Sequence, residues 1–223
     1  MTVHDVSRAL PGIEDLRRHC RGLAMRDAVL SPDRVARFHS FDARWGEGEQ
    51  LATVRYGMGD EYAIVFSAAG AYVRGFAHES LMSPWARMDV PAIWTGVLDD
   101  VPDVFRPYVT EPAFCDGDGV PTVTCCLWHP TGESAWRTGS IAFPGEGDGD
   151  PDGANILFEL LVDRSPEAYA TRASDYYETP VDVETVHSLL DRHLLTPKIV
   201  AALNPDIELA DLAEDIAGIG YPA

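Results

Sequence analysis

Two short apolar runs joined by a small-residue turn, in the stretch GDEYAIVFSAAGAYVRGFAHESLMSP at 59–84, constrain this chain more than any other feature. Tyr62, Ile64 and Phe66 alternate with Ala63 and Val65, and a period of two places successive side chains on opposite faces of a strand. Ser67 to Gly70 supply the turn, and Ala71 to Phe76 return as a second strand in which Gly75 marks a bulge or a close approach of backbone. Both faces carry apolar residues, so the hairpin is expected near the centre of its sheet. His78, Glu79 and Ser80 then lead abruptly into a polar loop that carries Trp85 and Trp94.

The flanking sequence extends this hairpin in both directions. Phe38 to Trp45 and Leu51 to Tyr56 read as a hairpin across a GEGE turn, which makes a four-stranded antiparallel meander with the central pair. Val120 to Trp128 and Ala135 to Phe143 read as a further pair, with Cys125 and Cys126 alternating across the first strand so that one is buried and one faces outward. A short helix is expected within Asp99 to Val109. Before the strands, Ile13, Leu16, Cys20, Leu23 and Ala24 recur at three- and four-residue steps, the stripe of an amphipathic helix over 13–30 that Pro32 stops. After residue 153 the chain becomes helical. Ser165 before Pro166 and Thr196 before Pro197 are N-cap signals, Asp182 caps a helix bearing Val183, Val186 and Leu190, and Leu209, Leu212, Ala213 and Ile216 form a last stripe. An N-terminal helix, a block of antiparallel strands and a block of helices define an α+β fold. The whole of 1–223 is expected as a single domain, with 1–144 (helix and sheet) and 154–223 (helical) as its only natural subdivision.

The charge is uneven. The chain of 223 residues has a formal net charge of -19, yet residues 1–56 hold nine arginines against eight acidic residues. The remainder therefore holds eight basic and 28 acidic residues, which places the negative excess entirely in the later part. Such a field repels nucleic acid and anionic membrane and speeds encounter with cations or a basic protein. No apolar run approaches the roughly 20 residues that span a bilayer, and the start lacks a signal-peptide pattern, so a cytoplasmic protein is expected. Cys20, Cys115, Cys125 and Cys126 lack metal-type spacing and are expected as free, mostly buried thiols.

One stretch matches a metal motif. Asp148, Asp150, Asp152, Gly153 and Glu159 satisfy D-x-D-x-D-G-x5-E, in which alternate carboxylates, the carbonyl of Ala154 and a bidentate Glu159 would surround Ca2+. A strand ending in Pro144 and Gly145 approaches this loop, where an EF-hand has a helix, so an isolated calcium loop is one reading. The other is a solvated acidic turn in which Asp152 caps the next helix and Glu159 lies on that helix's surface. His78 beside Glu79 offers a base or ligand, although adjacent residues on an extended chain point in different directions and fit no nucleophile pattern. Trp85 and Trp94, with Met82 and Met88, offer a binding patch or a tether for their loop. His187 and His193 are six residues apart and share no helical face.

The segments GDEYAIVFSAAGAYVRGFAHESLMSP, VPDVFRPYVTEPAF, DPDG, SDYYE and the ending IGYP resemble those of a family of uncharacterised bacterial, actinobacterial-type proteins of similar length. That resemblance implies no activity. Acidity, size and the order of sheet and helices are also similar to the SUKH-like immunity and adaptor proteins, a looser likeness that implies protein binding without catalysis. The leading expectation is a non-catalytic acidic module that binds a basic partner through its acidic later half or through the tryptophan loop, with Trp85, Trp94, His78 and Glu79 as the candidate residues. A calcium-stabilised domain and an enzyme with its site near His78 are the alternatives.

Overall fold

The computed structural model describes residues 1–86, 90–145, 149–178, 180–184, 186 and 195–222. Six strands form one antiparallel sheet in sequence order: β1 (His39–Gly46), β2 (Glu49–Arg55), β3 (Glu61–Ser67), β4 (Gly70–Phe76), β5 (Cys125–Pro130) and β6 (Arg137–Thr138). The β3–β4 hairpin is central, paired in register from Glu61 opposite Phe76 to Ser67 opposite Gly70. Gly75 causes no bulge; it serves a close approach, since a Cβ there would lie 2.6 Å from Cys125 Sγ and 2.8 Å from Phe158 Cζ.

Helices cover one face of the sheet. The stripe on α2 (Ile13–Leu30) packs on β1, with Leu16, Cys20, Leu23 and Ala24 buried. A shorter helix, α1 (Val3–Ala9), packs against β5 and β6, where it buries Val3 and Val6. The second face is closed by the arm 97–123, which contains a 3-10 turn at Asp103–Phe105, α3 (Arg106–Val109) and another 3-10 turn at Pro112–Phe114. Phe105 stacks on Tyr72 at 6.3 Å and Phe114 on Trp45 at 5.9 Å, and each buried ring stabilises the arm by about 2 kcal/mol or more. Arg74 pins the arm: its guanidinium donates to the Thr122 carbonyl (2.6 Å) and pairs with Glu61 (2.5 Å).

This covering explains three departures from the sequence reading. Cys125 and Cys126, of which one was expected to face outward, are both fully buried, because the arm lies over the second face. The last strand is two residues long, since backbone of the Trp94 loop abuts Gly139 and the Ser140 N–H donates to Asp100 (2.9 Å) in place of a ladder partner. Pairing with β4 begins only at Thr124, whose N–H donates to the Gly75 carbonyl (2.8 Å); residues before it join the arm, with Pro121 bridged to Cys115 and the Thr122 N–H bonded to the Phe114 carbonyl (3.0 Å).

The C-terminal part contributes α4 (Ala154–Leu157), α5 (Glu159–Val162), α6 (Pro166–Tyr177), α7 (Pro197–Leu203) and α8 (Ala213–Ile219). Ser165 and Thr196 cap α6 and α7 through their hydroxyls, accepting from Ala168 and Ile199 N–H, and Gly220 ends α8 in the left-handed region. Val183, Glu184 and Val186 are helical, while Leu190, His187 and His193 lie outside the described residues. Buried side chains from α1 through Tyr221 form one contiguous cluster. Among the described residues no helix is long and apolar enough to cross a membrane.

Candidate partner-binding face

At one end of the sheet the β2–β3 turn meets the chain as it leaves β4. Gly59 adopts a left-handed φ of 96°, and its α-carbon backs directly onto His78. The His78 N–H donates to Asp60 Oδ1 (2.6 Å) and the Ala77 N–H to Thr124 Oγ1 (3.1 Å), which fixes the exit of β4. Ser80 then anchors the loop, donating its hydroxyl to the Pro151 carbonyl (2.7 Å) and accepting from Met82 N–H (2.9 Å). Met82, Ser83 and Pro84 are buried behind this anchor, and Trp85 emerges from it.

These anchored segments carry three exposed apolar side chains. Met58 at the β2–β3 turn is 83% exposed, Leu81 66% and Trp85 40%. Trp85 meets Phe76 edge-on at 5.6 Å, and Phe76 meets His78 edge-on at 6.3 Å. Around the corner, Tyr56 edges onto Phe38 (4.4 Å) and donates to the Ile156 carbonyl (3.2 Å), while Tyr176 packs on Phe38 (4.9 Å). Ile156 and Tyr176 are also exposed. Asp60, Glu79, Glu159 and Asp175 edge the region, and none of them forms an ion pair among the described residues.

His78 and Glu79 are both exposed, and the ring of His78 meets Phe76 and Gly59. Trp94 instead ties its loop down: its indole N–H donates to the Ala142 carbonyl (2.9 Å), beside a cavity of about 230 Å³ lined by Ser83, Ile93 and Ser140. Met88 lies outside the described residues.

The Asp-rich loop is built around backbone donors. Asp150 accepts from Asn155 N–H (2.9 Å) and Ile156 N–H (3.2 Å), capping the first turn of α4. Asp152, fully buried, accepts from Val3 N–H (2.9 Å) and Ala154 N–H (3.2 Å), so it joins the start of α1 to the start of α4. Burial raises the Asp152 carboxyl to about 6, against the pull of those two N–H groups. The Ala154 carbonyl accepts from Phe158 N–H (3.1 Å), and Glu159 is exposed at the start of α5. Gly153 is required by packing, because a Cβ there would sit 2.1 Å from that of Ala77. Asp148 lies outside the described residues.

A buried polar cluster escapes the sequence reading. Asp27 Oδ2 accepts from His39 N–H (2.6 Å) and lies 2.9 Å from His39 Nδ1, and Oδ1 accepts from the Tyr169 hydroxyl (2.7 Å). Burial acts to raise the Asp27 pKa, but the charge of His39 and the hydrogen bonds from His39 and Tyr169 outweigh it, holding the carboxyl below its ordinary value. A carboxylate on Nδ1 fixes an imidazole as in acid–base dyads; here both residues are almost wholly buried and tie α2, β1 and α6 together. The available signal was the position of Asp27, one step along the apolar stripe from Leu23.

No protein-family model, curated protein or solved structure matches this chain.

Proposed function

We propose that this protein is a non-catalytic binding module of the immunity or adaptor kind that engages a basic protein through the face around Trp85 and Met58. The observation that carries the reading is the exposed Trp85, seated edge-on against Phe76, whose ring meets His78, which in turn meets Gly59 next to the exposed Met58, with Asp60 and Glu79 in the same segments. An apolar aromatic centre with a charged rim is the anatomy of a protein interface, in which a few anchors supply most of the affinity. The acidic rim and the net charge of -19 select a basic partner and speed its approach. Binding there would act by occlusion.

The test is a comparison of wild type, Trp85→Ala and Met58→Ser as immobilised baits in lysate from the source organism, at low and high salt. A basic protein held by wild type at low salt, lost at high salt and lost with Trp85→Ala, supports the reading. Capture that is indifferent to both Trp85 and salt would remove it. For a purified partner, Trp85→Ala should cost about 2 kcal/mol, or about thirtyfold in Kd.

A further inference from the structure

On the opposite charge sign, one site stands out from this acidic molecule. Arg17, Arg18 and Arg21 lie on one side of α2 and, with Glu14, Tyr221 and Pro222, line a cavity of about 300 Å³. Two of the guanidinium groups rest on aromatic platforms: Arg17 lies 5.2 Å above Phe66 and Arg21 5.1 Å above Phe41, and those two rings are themselves stacked at 6.2 Å. Stacking of this kind holds the planar fork in a fixed orientation and lowers the entropy lost when it binds an anion.

The charges in the cavity are incompletely matched. Arg17 pairs with Glu14 at 3.0 Å and Arg18 with Asp15 at 2.8 Å, both carboxylates being well exposed. Arg21 donates only to the neutral Gln50 side chain (3.0 Å) and forms no ion pair among the described residues. The Nε–H groups of Arg17 and Arg21 are buried and find no acceptor among those residues. Burial, and next the charge of Arg17, lower the Arg21 pKa, the direction expected of a cation short of negative charge. A charge-assisted bond from these guanidinium groups to an incoming anion is stronger than one to a neutral group such as the Gln50 amide.

We infer that the Arg17–Arg21 cavity is a binding site for a phosphate group, either inorganic phosphate or a small phosphate monoester. A planar carboxylate offers two oxygens, which a single guanidinium fork satisfies, whereas a tetrahedral phosphate carries enough oxygens for two forks one helical turn apart. The site goes beyond the partner-binding reading and depends on none of its residues.

The experiment is calorimetric titration of the full chain at constant ionic strength with inorganic phosphate, glycerol 3-phosphate and acetate. Saturable one-site binding of inorganic phosphate is expected, with acetate at least tenfold weaker. Tighter binding of glycerol 3-phosphate would identify a monoester site, and equal binding would identify one for phosphate itself. Arg21→Gln should weaken phosphate tenfold or more, while Arg44→Gln, an exposed arginine on β1, should leave it unchanged. Arg21→Lys keeps the charge without the fork and should bind about tenfold more weakly, which covers the case in which Arg21→Gln fails to fold. No saturable phosphate binding by wild type, equal binding of acetate, or equal binding of phosphate by Arg21→Lys would overturn the inference.

Discussion

Replacing Asp27 with asparagine removes one acceptor oxygen from a carboxylate on α2 that serves three donors from β1 and α6, at 2.6, 2.9 and 2.7 Å. If the amide oxygen stays with the Tyr169 hydroxyl, the NH2 group faces the His39 N–H, donor against donor. The His39 ring can adapt by changing tautomer, but its backbone N–H cannot. One buried backbone donor left unsatisfied costs about 1–3 kcal/mol, and loss of the charge on the remaining bonds adds about 1 kcal/mol, so about 3 kcal/mol is expected at pH 7. That is a large fraction of the roughly 5–15 kcal/mol that holds a typical domain. Urea unfolding followed by far-ultraviolet circular dichroism should show a lower midpoint at unchanged slope. The pH dependence supplies a second readout. The folded Asp27 pKa lies below its unfolded value of about 3.9, so its contribution is complete above that value and is lost as the pH falls through the folded pKa. The gap between wild type and Asp27→Asn should therefore shrink below about pH 4. A difference under about 0.5 kcal/mol at pH 7, or one that persists unchanged to pH 3, would refute the view that this carboxylate ties α2, β1 and α6 together.

Asp152 should behave in the opposite sense. Its folded pKa of about 6 exceeds the unfolded value, so the folded state binds the proton more tightly, and stability relative to Asp152→Asn should fall by about 2 kcal/mol between pH 4 and pH 7; a difference that rises with pH, measured by urea unfolding, would contradict it. Gly153→Ala places a methyl 2.1 Å from Ala77 Cβ at a φ of 75° and should cost about 3 kcal/mol in thermal unfolding, against about 1 kcal/mol for Gly132→Ala, which meets no atom within 4 Å. Chelation of calcium should leave the melting temperature unchanged if Asp150 and Asp152 act as caps; a fall on chelation that Asp150→Asn abolishes would assign the loop to a cation instead.

What was legible in the sequence was local. The α2 stripe, the central hairpin, the close approach at Gly75 and the caps at Ser165 and Thr196 all follow from spacing and turn chemistry within a few residues. What escaped depends on distant chain. The seven-residue helix α1 is fixed at its start by Asp152, far along the sequence, and Cys126 is buried only because the arm returns over the second face. The candidate face divided in the same way. Trp85 and His78 could be singled out from their position after the hairpin, but Met58 joins them only when the β2–β3 turn folds back onto His78. Trp94 could not be distinguished from Trp85 until its indole N–H was seen to reach Ala142. Arg17 and Arg21 carry no local signal that sets them apart from other arginines of α2, because the rings beneath them come from β1 and β3.

The decisive measurement is paired affinity capture with wild type and a Met58→Ser/Trp85→Ala double variant, both confirmed folded by thermal melting, with bound proteins identified by mass spectrometry across a salt series. Binding through the Met58–Trp85 face predicts a basic protein that wild type retains at low salt and that the double variant fails to retain at any salt. Equal retention of the same proteins by both baits would contradict it.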